Sequence, residues 1–168
     1  MLFTRRVNAL NGCLPCEPTR VLTHAPFDRL VLETEYPLVR QVFETEHAYA
    51  MLDAFPVARF HCLLLPKTAS MDVGDLDPTV AAAFLKELPR LVAAVKEASG
   101  APAVKVMSNA GAAAGQVIFH THFHVIPRFA QGDSLASSAS MIDAVEAAES
   151  VRLLQVAMRP SRPKGGAY

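Results

Sequence analysis

The chain has 168 residues, a length that fits one globular domain with a sizeable core, so residues 1–168 are predicted to form a single domain. Its 16 basic and 16 acidic side chains cancel at neutral pH, which argues against a nucleic-acid-binding surface, and no apolar run is as long as a membrane span. Three cysteines without a secretory signal do not form a disulfide framework, so we expect a reducing, cytoplasmic setting.

The two ends of the chain are expected to lie outside the packed domain. Residues 1–12 form a short basic arm without acidic side chains, which has some features of a mitochondrial leader but is better interpreted as a loose N-terminal segment. Residues 159–168 are basic and contain two prolines, which is typical of a solvated tail.

A Cys-x-x-Cys motif at Cys13 and Cys16 is the first chemical feature along the chain. Two thiolates three positions apart can bind one zinc ion from a tight turn. The same pair could instead be redox-active, or the two cysteines could be neighbours without a shared role. The motif alone leaves these alternatives open.

Between Arg29 and Pro66 the chain is rich in predicted strands. Branched and aromatic residues alternate or cluster there, and turn residues separate the clusters. Asp53 closes the third cluster and Pro66 stops the fourth. The predicted strands are residues 30–34, 38–44, 48–52 and 60–65.

A helical region follows, with a defined beginning and end. Asp77 is a capping carboxylate and Pro78 suits the first helical position. Apolar residues then recur at helical spacing, but Pro89 removes a backbone donor and should kink the helix or split it in two. Gly100 is expected to end it.

The rest of the chain is predicted as strand, loop, strand and helix. Residues 103–107 form a strand that leads into a loop of small residues, and residues 117–127 return beside it as a second strand. After a Gly/Ser/Ala-rich loop, residues 141–158 have helical spacing, with Ser140 as the predicted N-cap and Asp143 as part of a capping box.

Three histidines two positions apart are the chemical centre of the sequence. Since side chains on a strand alternate between faces, His120, His122 and His124 are predicted to line one face together. The preceding loop, residues 109–115, carries little side-chain bulk, so a ligand can approach its backbone closely. A simple metal site or a solvated polar face would also explain three alternate histidines, but neither explains the ordered residues around them.

That order is what carries a resemblance to a known family. Asn109-x-Gly111-x-x-x-Gly115-Gln116, followed by the alternating histidines and Ile-Pro-Arg, resembles the signature of the histidine triad (HIT) superfamily of nucleotidyl hydrolases and transferases. The Cys-x-x-Cys motif is similar to that of its zinc-bearing branch, near the nucleoside phosphoramidate hydrolases. The resemblance implies an α+β fold, a mainly antiparallel sheet with packed helices, and a homodimer.

The resemblance also implies a reaction centre. His122 would be the nucleophile that attacks the α-phosphorus of a purine nucleotide conjugate, such as a phosphoramidate, an ester or a dinucleoside polyphosphate. His124 would contact the phosphate or the leaving group. His120 would be either an orienting group or a zinc ligand.

The remaining site residues follow from the same comparison. Asp53 matches the residue that binds the ribose hydroxyls, and Asn109, Gly115 and Gln116 match the phosphate-binding loop. Val117 is a departure, because many relatives carry Ser or Thr there, and valine cannot donate a hydrogen bond. The segment between Cys16 and Asp53 is also longer than is usual in the family, so base preference is the least transferable property.

A zinc site is implied on Cys13, Cys16, His61 and His120. Cys62 is not expected to be a ligand, because it should face the opposite side of the strand from His61.

Two other functions compete with nucleotidyl transfer. The chain could be a non-catalytic nucleotide-binding protein that acts through partners. It could also be a relative of the hexose-1-phosphate uridylyltransferases, which share the zinc motif and the nucleophilic histidine, but this chain is much shorter and keeps a third histidine at His124.

Overall fold

The computed structural model describes residues 40–130 and 140–159, and the following account concerns those residues. These residues form five strands and three helices, and short 3-10 turns at Val73–Asp75 and Ala112–Ala114 lie in the connections. None of these helices has both the length and the apolar composition needed to cross a bilayer. The elements are β1 (Gln41–Glu44), β2 (Ala48–Leu52), β3 (Cys62–Pro66), α1 (Pro78–Leu85), α2 (Leu88–Ser99), β4 (Ala103–Met107), β5 (Phe123–Arg128) and α3 (Ala144–Ala157).

The strands form one antiparallel sheet in the order β1-β2-β3-β5-β4. β3 and β4 both pair with β5, so the strand that carries His124 lies between two neighbours. In this register His124 stands opposite Leu63 of β3 and Met107 of β4. The fold is therefore α+β with a mainly antiparallel sheet, as the sequence predicts.

The sheet has one face covered by helices and one face that carries the site. The main core packs α1, α2 and α3 against the side of the sheet that includes Leu64 and Val125. On the other side Tyr49, Met51 and Leu65 form a smaller buried cluster. Because alternate residues of a strand point to opposite faces, Val125 belongs to the core and His124 to the second face.

The helices follow their sequence signals closely, with one exception. Asp77 accepts a hydrogen bond from the backbone N–H of Thr79, and the predicted split occurs between α1 and α2, just before Pro89. The predicted cap of the last helix was wrong: Asp143, not Ser140, is the N-cap. The Asp143 carboxylate accepts from the N–H groups of the two residues that follow Ala144, at 2.8 and 3.2 Å.

Strand β5 is shorter than predicted, and this changes the geometry of the histidines. It begins at Phe123, so only His124 of the three lies on the strand. The segment before it is held by the connection between β3 and α1. The Thr121 N–H donates to the carbonyl of Ser70 at 3.0 Å, and the Ser70 hydroxyl donates to the Thr121 hydroxyl at 2.7 Å. These bonds replace the strand pairing that residues 117–122 were predicted to make.

Strand β3 also starts later than predicted, at Cys62. Phe60 has a positive φ of 68°, an uncommon conformation for a bulky residue, and the N–H of His61 bonds to the carbonyl of Ala58. The chain therefore turns sharply before His61. His61 faces the site, and the free thiol of Cys62 is buried in the helix-side core, where burial raises its pKa.

Candidate active site

A cavity of about 390 Å³ opens on the face of the sheet that the helices leave uncovered. Its apolar floor comes from alternate residues of four strands, namely Met51, Leu63, Leu65, Met107 and Ile126. Its polar groups come from the strand ends and the connections. They are Arg40, Asp53, His61, Asn109, His122 and His124.

A chain of hydrogen bonds fixes the protons of two histidines in this cavity. The backbone N–H of Val57 donates to Nδ1 of His61 at 3.3 Å, so that nitrogen carries no proton. The proton of the neutral ring must then sit on Nε2, which lies 3.0 Å from Nδ1 of His124. His61 therefore donates to His124, and His124 carries its own proton on Nε2.

Burial keeps both of these rings neutral. It lowers the pKa of His61, which the nearby Asp53 carboxylate partly offsets. The pKa of His124 is lowered to about 4, first by burial and then by the neighbouring His61 and His122 rings. At neutral pH this pair is therefore a donor and an acceptor, without net charge.

His122 has its proton fixed in a different way. Its Nδ1 lies 2.7 Å from the carbonyl oxygen of His120, and a carbonyl can only accept. The proton of the neutral ring is thus on Nδ1, and Nε2 keeps a lone pair. The side chain is largely buried, lines the cavity, and stands edge-on to His124 with ring centres 5.0 Å apart.

His120 does not share the cavity with the other two histidines. It is buried, and its Nε2 donates to the carbonyl oxygen of Pro66 at 2.9 Å. Burial lowers its pKa, and the hydrogen bond to Pro66 works against this. The prediction that all three rings line one face was wrong, because residues 120–122 are not part of β5. His120 was predicted to be either an orienting group or a zinc ligand. Its contacts favour the first role, because its backbone carbonyl accepts the hydrogen bond that orients the ring of His122.

Asp53 directly follows β2, where the sequence predicts it, and lies beside the histidine pair. One carboxylate oxygen accepts from the N–H of Phe55 at 2.8 Å, and the other lies 3.5 Å from Nε2 of His61 and 3.8 Å from Nδ1 of His124. The side chain remains partly exposed to the cavity. It can thus accept a ligand hydroxyl while it faces the two imidazoles.

The small-residue loop is arranged around Gln116. Its Oε1 accepts from the N–H of Gly111 at 2.7 Å, and its Nε2 donates to the carbonyls of Met71 at 2.6 Å and Ile118 at 3.0 Å. The amide is buried and all of its donors are used, so these contacts favour a role in loop structure over the predicted contact with phosphate.

Asn109 and Gly115 both lie at the cavity, where the sequence predicts them. The Asn109 side chain donates to the carbonyl of Gly115 at 3.4 Å. Gly115 has a φ of 88°, a backbone conformation that residues other than glycine rarely adopt. This pair brings an amide side chain and exposed backbone to the wall next to His122.

Arg40 is a cavity residue that sequence reasoning missed. Its guanidinium is buried and donates from Nη1 to the carbonyl of Leu52 at 3.1 Å. Burial lowers its pKa, and the charge of Asp53 opposes that effect. A single arginine before a short strand does not differ from a surface residue in the sequence, so only the fold shows that this cation balances Asp53.

Only two of the four predicted zinc ligands, His61 and His120, lie in the part of the chain that the structure describes. Cys13 and Cys16 lie outside it, and both nitrogens of His61 are used in the hydrogen-bond chain with Val57 and His124. Asp53, His61 and His124 do place one ligand atom each within 4.8 Å of one another. However, the N–H of Val57 would oppose the protonated Nδ1 of a metal-bound His61. The Val57 contact argues against His61 as a ligand in this ring orientation, but Asp53, His61 and His124 are grouped closely enough to hold a metal ion, and the predicted zinc site stays a prediction.

The family of the chain follows from residues 38–131, which match the model of the HIT domain. This match covers more than half of the chain, including the cavity and all three histidines. The chain belongs to the HIT family. The resemblance predicted from the motif is thus confirmed.

Known HIT proteins are similar in sequence and in structure. An adenylylsulfatase of Arabidopsis thaliana is 35% identical over 111 residues, which are 66% of this chain and 55% of that protein, so the chain spans little more than half of its length. A hypothetical histidine triad nucleotide-binding protein of Sulfolobus tokodaii has a TM-score of 0.68 at 26% identity, covering 78% of this chain and 89% of the other. A zinc-bound histidine triad family protein of Mycobacterium smegmatis has a TM-score of 0.60 at 34% identity, covering 70% and 82%.

The low pKa of His124 predicts an acid-sensitive HIT domain. In the metal-free protein the native ring resists protonation down to about pH 4, whereas an unfolded histidine binds a proton near pH 6.5. As the pH falls between these values the unfolded state binds more protons, so the free energy of unfolding should decrease. Urea unfolding at a series of pH values measures this, and His124→Asn should flatten the curve. An equal slope in both proteins would contradict the assignment.

The contacts of Gln116 predict that its loss costs stability. Gln116→Leu leaves the N–H of Gly111 and the carbonyl of Met71 without a partner, which should lower the free energy of unfolding by about 2–3 kcal/mol. Gln155→Leu is the matched control, because Gln155 lies on an exposed helix surface and donates one bond, to the carbonyl of Val42. Equal losses in chemical denaturation would show that the loop does not depend on Gln116.

Proposed function

We propose that this HIT domain is a nucleotidyl hydrolase or transferase that acts on purine nucleotide conjugates through a nucleotidyl-His122 intermediate. The observation that carries the proposal is the 2.7 Å hydrogen bond from Nδ1 of His122 to the His120 carbonyl. It holds the ring proton on the side away from the cavity and leaves the lone pair of Nε2 for an electrophile. A neutral imidazole with a fixed proton is a competent nucleophile at neutral pH.

In the first step, Nε2 of His122 forms a bond to the α-phosphorus. The bond from phosphorus to the leaving nitrogen or oxygen breaks, and the leaving atom keeps the electron pair and takes a proton from solvent at the cavity mouth. The Nε2–H of His124 is a donor for a phosphoryl oxygen as negative charge develops there. Asn109, on the adjacent wall, is a second candidate donor.

In the second step, water or another acceptor attacks the nucleotidyl-imidazolium. A new phosphorus–oxygen bond forms, the bond to Nε2 breaks with its electrons returning to the ring, and a proton goes back to solvent. The products of hydrolysis are a nucleoside monophosphate and the free amine or alcohol. The proton taken up in the first step is released in the second, so the cycle balances.

Asp53 is proposed to bind the ribose. Its carboxylate is partly exposed to the cavity, and a carboxylate accepts hydrogen bonds from both ribose hydroxyls. The similarity to a relative named as an adenylylsulfatase supports an adenylylated substrate. By the same family resemblance the protein is proposed to be a homodimer.

Replacing the nucleophile tests the proposal. With adenosine 5′-phosphoramidate as substrate, His122→Ala should lower kcat/KM by at least about 10³-fold, because no other group replaces the attacking lone pair. His47→Ala is the control, since His47 lies in the β1–β2 turn, away from the cavity, and should keep the wild-type rate.

Rapid quenching separates an enzyme from a binding protein. Mass spectrometry should find the mass of one nucleotidyl group on the peptide that contains His122. Nucleotide binding without such an adduct, and without turnover above background in the wild type, would reject the reaction and favour the non-catalytic alternative, which the missing hydroxyl at Val117 supports.

His61 is proposed to act through His124, as a positioning residue. His61→Asn removes the Nε2–H that fixes the proton of His124, so kcat should fall about 10²-fold while KM changes little. Zinc content, measured by mass spectrometry of the metal, should equal that of the wild type. Loss of zinc with retention of kcat would instead make His61 a metal ligand.

A further inference from the structure

We infer that the substrate of this site carries an apolar leaving group, selected by a rim of three side chains: Phe55, Val117 and Ile118. This apolar rim deepens the proposed function and rests on it. All three residues line the same cavity as His122. They are 47%, 85% and 45% exposed, although large apolar side chains in a folded protein are usually covered.

The rim residues come from two different connections. Phe55 follows β2, and Val117 and Ile118 lie in the segment that leads to β5. Single exposed apolar residues need no explanation, but a group of them at the mouth of the cavity that holds His122 marks a ligand surface. The apolar rim thus offers a ligand hydrophobic contact from two separate segments of the chain.

The direction of the reaction places the leaving group at this rim. The nucleophile and the leaving atom lie roughly in line on opposite sides of phosphorus. His122 is only 8% exposed, so it attacks from within the protein and the leaving group points outward. Outward is where the rim residues stand, and none of their side chains donates a hydrogen bond.

The charge of the cavity points the same way. Among the described residues that line it, Arg40 is the only lysine or arginine, and it lies beside Asp53 at the end of β2. A polyphosphate or sulfate leaving group would lose water at the rim without gaining a cation there. An alkyl or aryl amine or alcohol would instead bury its own apolar surface against the rim.

Two substrates with matched chain length and similar amine basicity test this inference. They are the adenosine 5′-phosphoramidates of 2-phenylethylamine and of N-acetylethylenediamine. The wild-type protein should prefer the phenylethyl compound by at least about tenfold in kcat/KM, since a few apolar groups in a fitted site give that discrimination. A ratio near one would overturn the inference.

Substitution of the rim assigns the preference to its residues. Val117→Ser, at a position too exposed to affect folding, should reduce the ratio several-fold. Val145→Ser is the matched control: this valine on α3 is 78% exposed and does not line the cavity, so the ratio should not change. A ratio in Val117→Ser equal to that of the wild type would also overturn the inference.

Unsubstituted adenosine phosphoramidate separates this inference from the proposed function. If it is hydrolysed and the two test substrates are not distinguished, only the rim assignment fails. If no compound is hydrolysed, the proposed reaction fails. Equilibrium binding of the two unhydrolysed test phosphoramidates then still tests whether the apolar rim selects an apolar group. Binding of the phenylethyl compound at least about tenfold more tightly supports the apolar rim, and equal or absent binding rejects it.

Discussion

The site depends on one partly buried hydrogen bond, between Nε2 of His61 and Nδ1 of His124. It joins the ring of His61, which directly precedes β3, to the ring of His124 on the neighbouring strand β5, and the backbone N–H of Val57 determines which ring donates. Because both rings are kept neutral by burial, the bond sets a direction without adding charge. The proton left on Nε2 of His124 is then available to a ligand. The backbone N–H of Val57 thus determines, through His61, that Nε2 of His124 is a donor.

Much of the fold could be predicted because its signals are local. The bounds of β2 and β4 match their alternating or branched clusters, and the split between α1 and α2 follows from Pro89. The HIT motif identified the loop and the histidines because their order is specific. Asp53 could be placed at the cavity for the same reason, since it ends a predicted strand at the position of the family's ribose ligand.

What could not be predicted depends on contacts between distant segments. The connection that contains Ser70 and Met71 bonds to Thr121 and to Gln116, and this interaction prevents residues 117–122 from joining β5. No local sequence pattern indicates such a contact. The three histidines were therefore predicted to share one face, whereas only His122 and His124 line the cavity. The buried guanidinium of Arg40 was missed because its cost and its compensation by Asp53 exist only in the folded chain.

The alternation along β5 has a consequence for how this protein can change. Val125 fills the helix-side core and the residues on either side of it face the cavity, so insertion or deletion of one residue within the strand would exchange the two roles. An imidazole would enter the apolar core on the helix side, and a valine would take its place in the cavity. Insertions and deletions in related sequences should therefore be confined to the connections, because within β5 they would disrupt the core and the cavity at once.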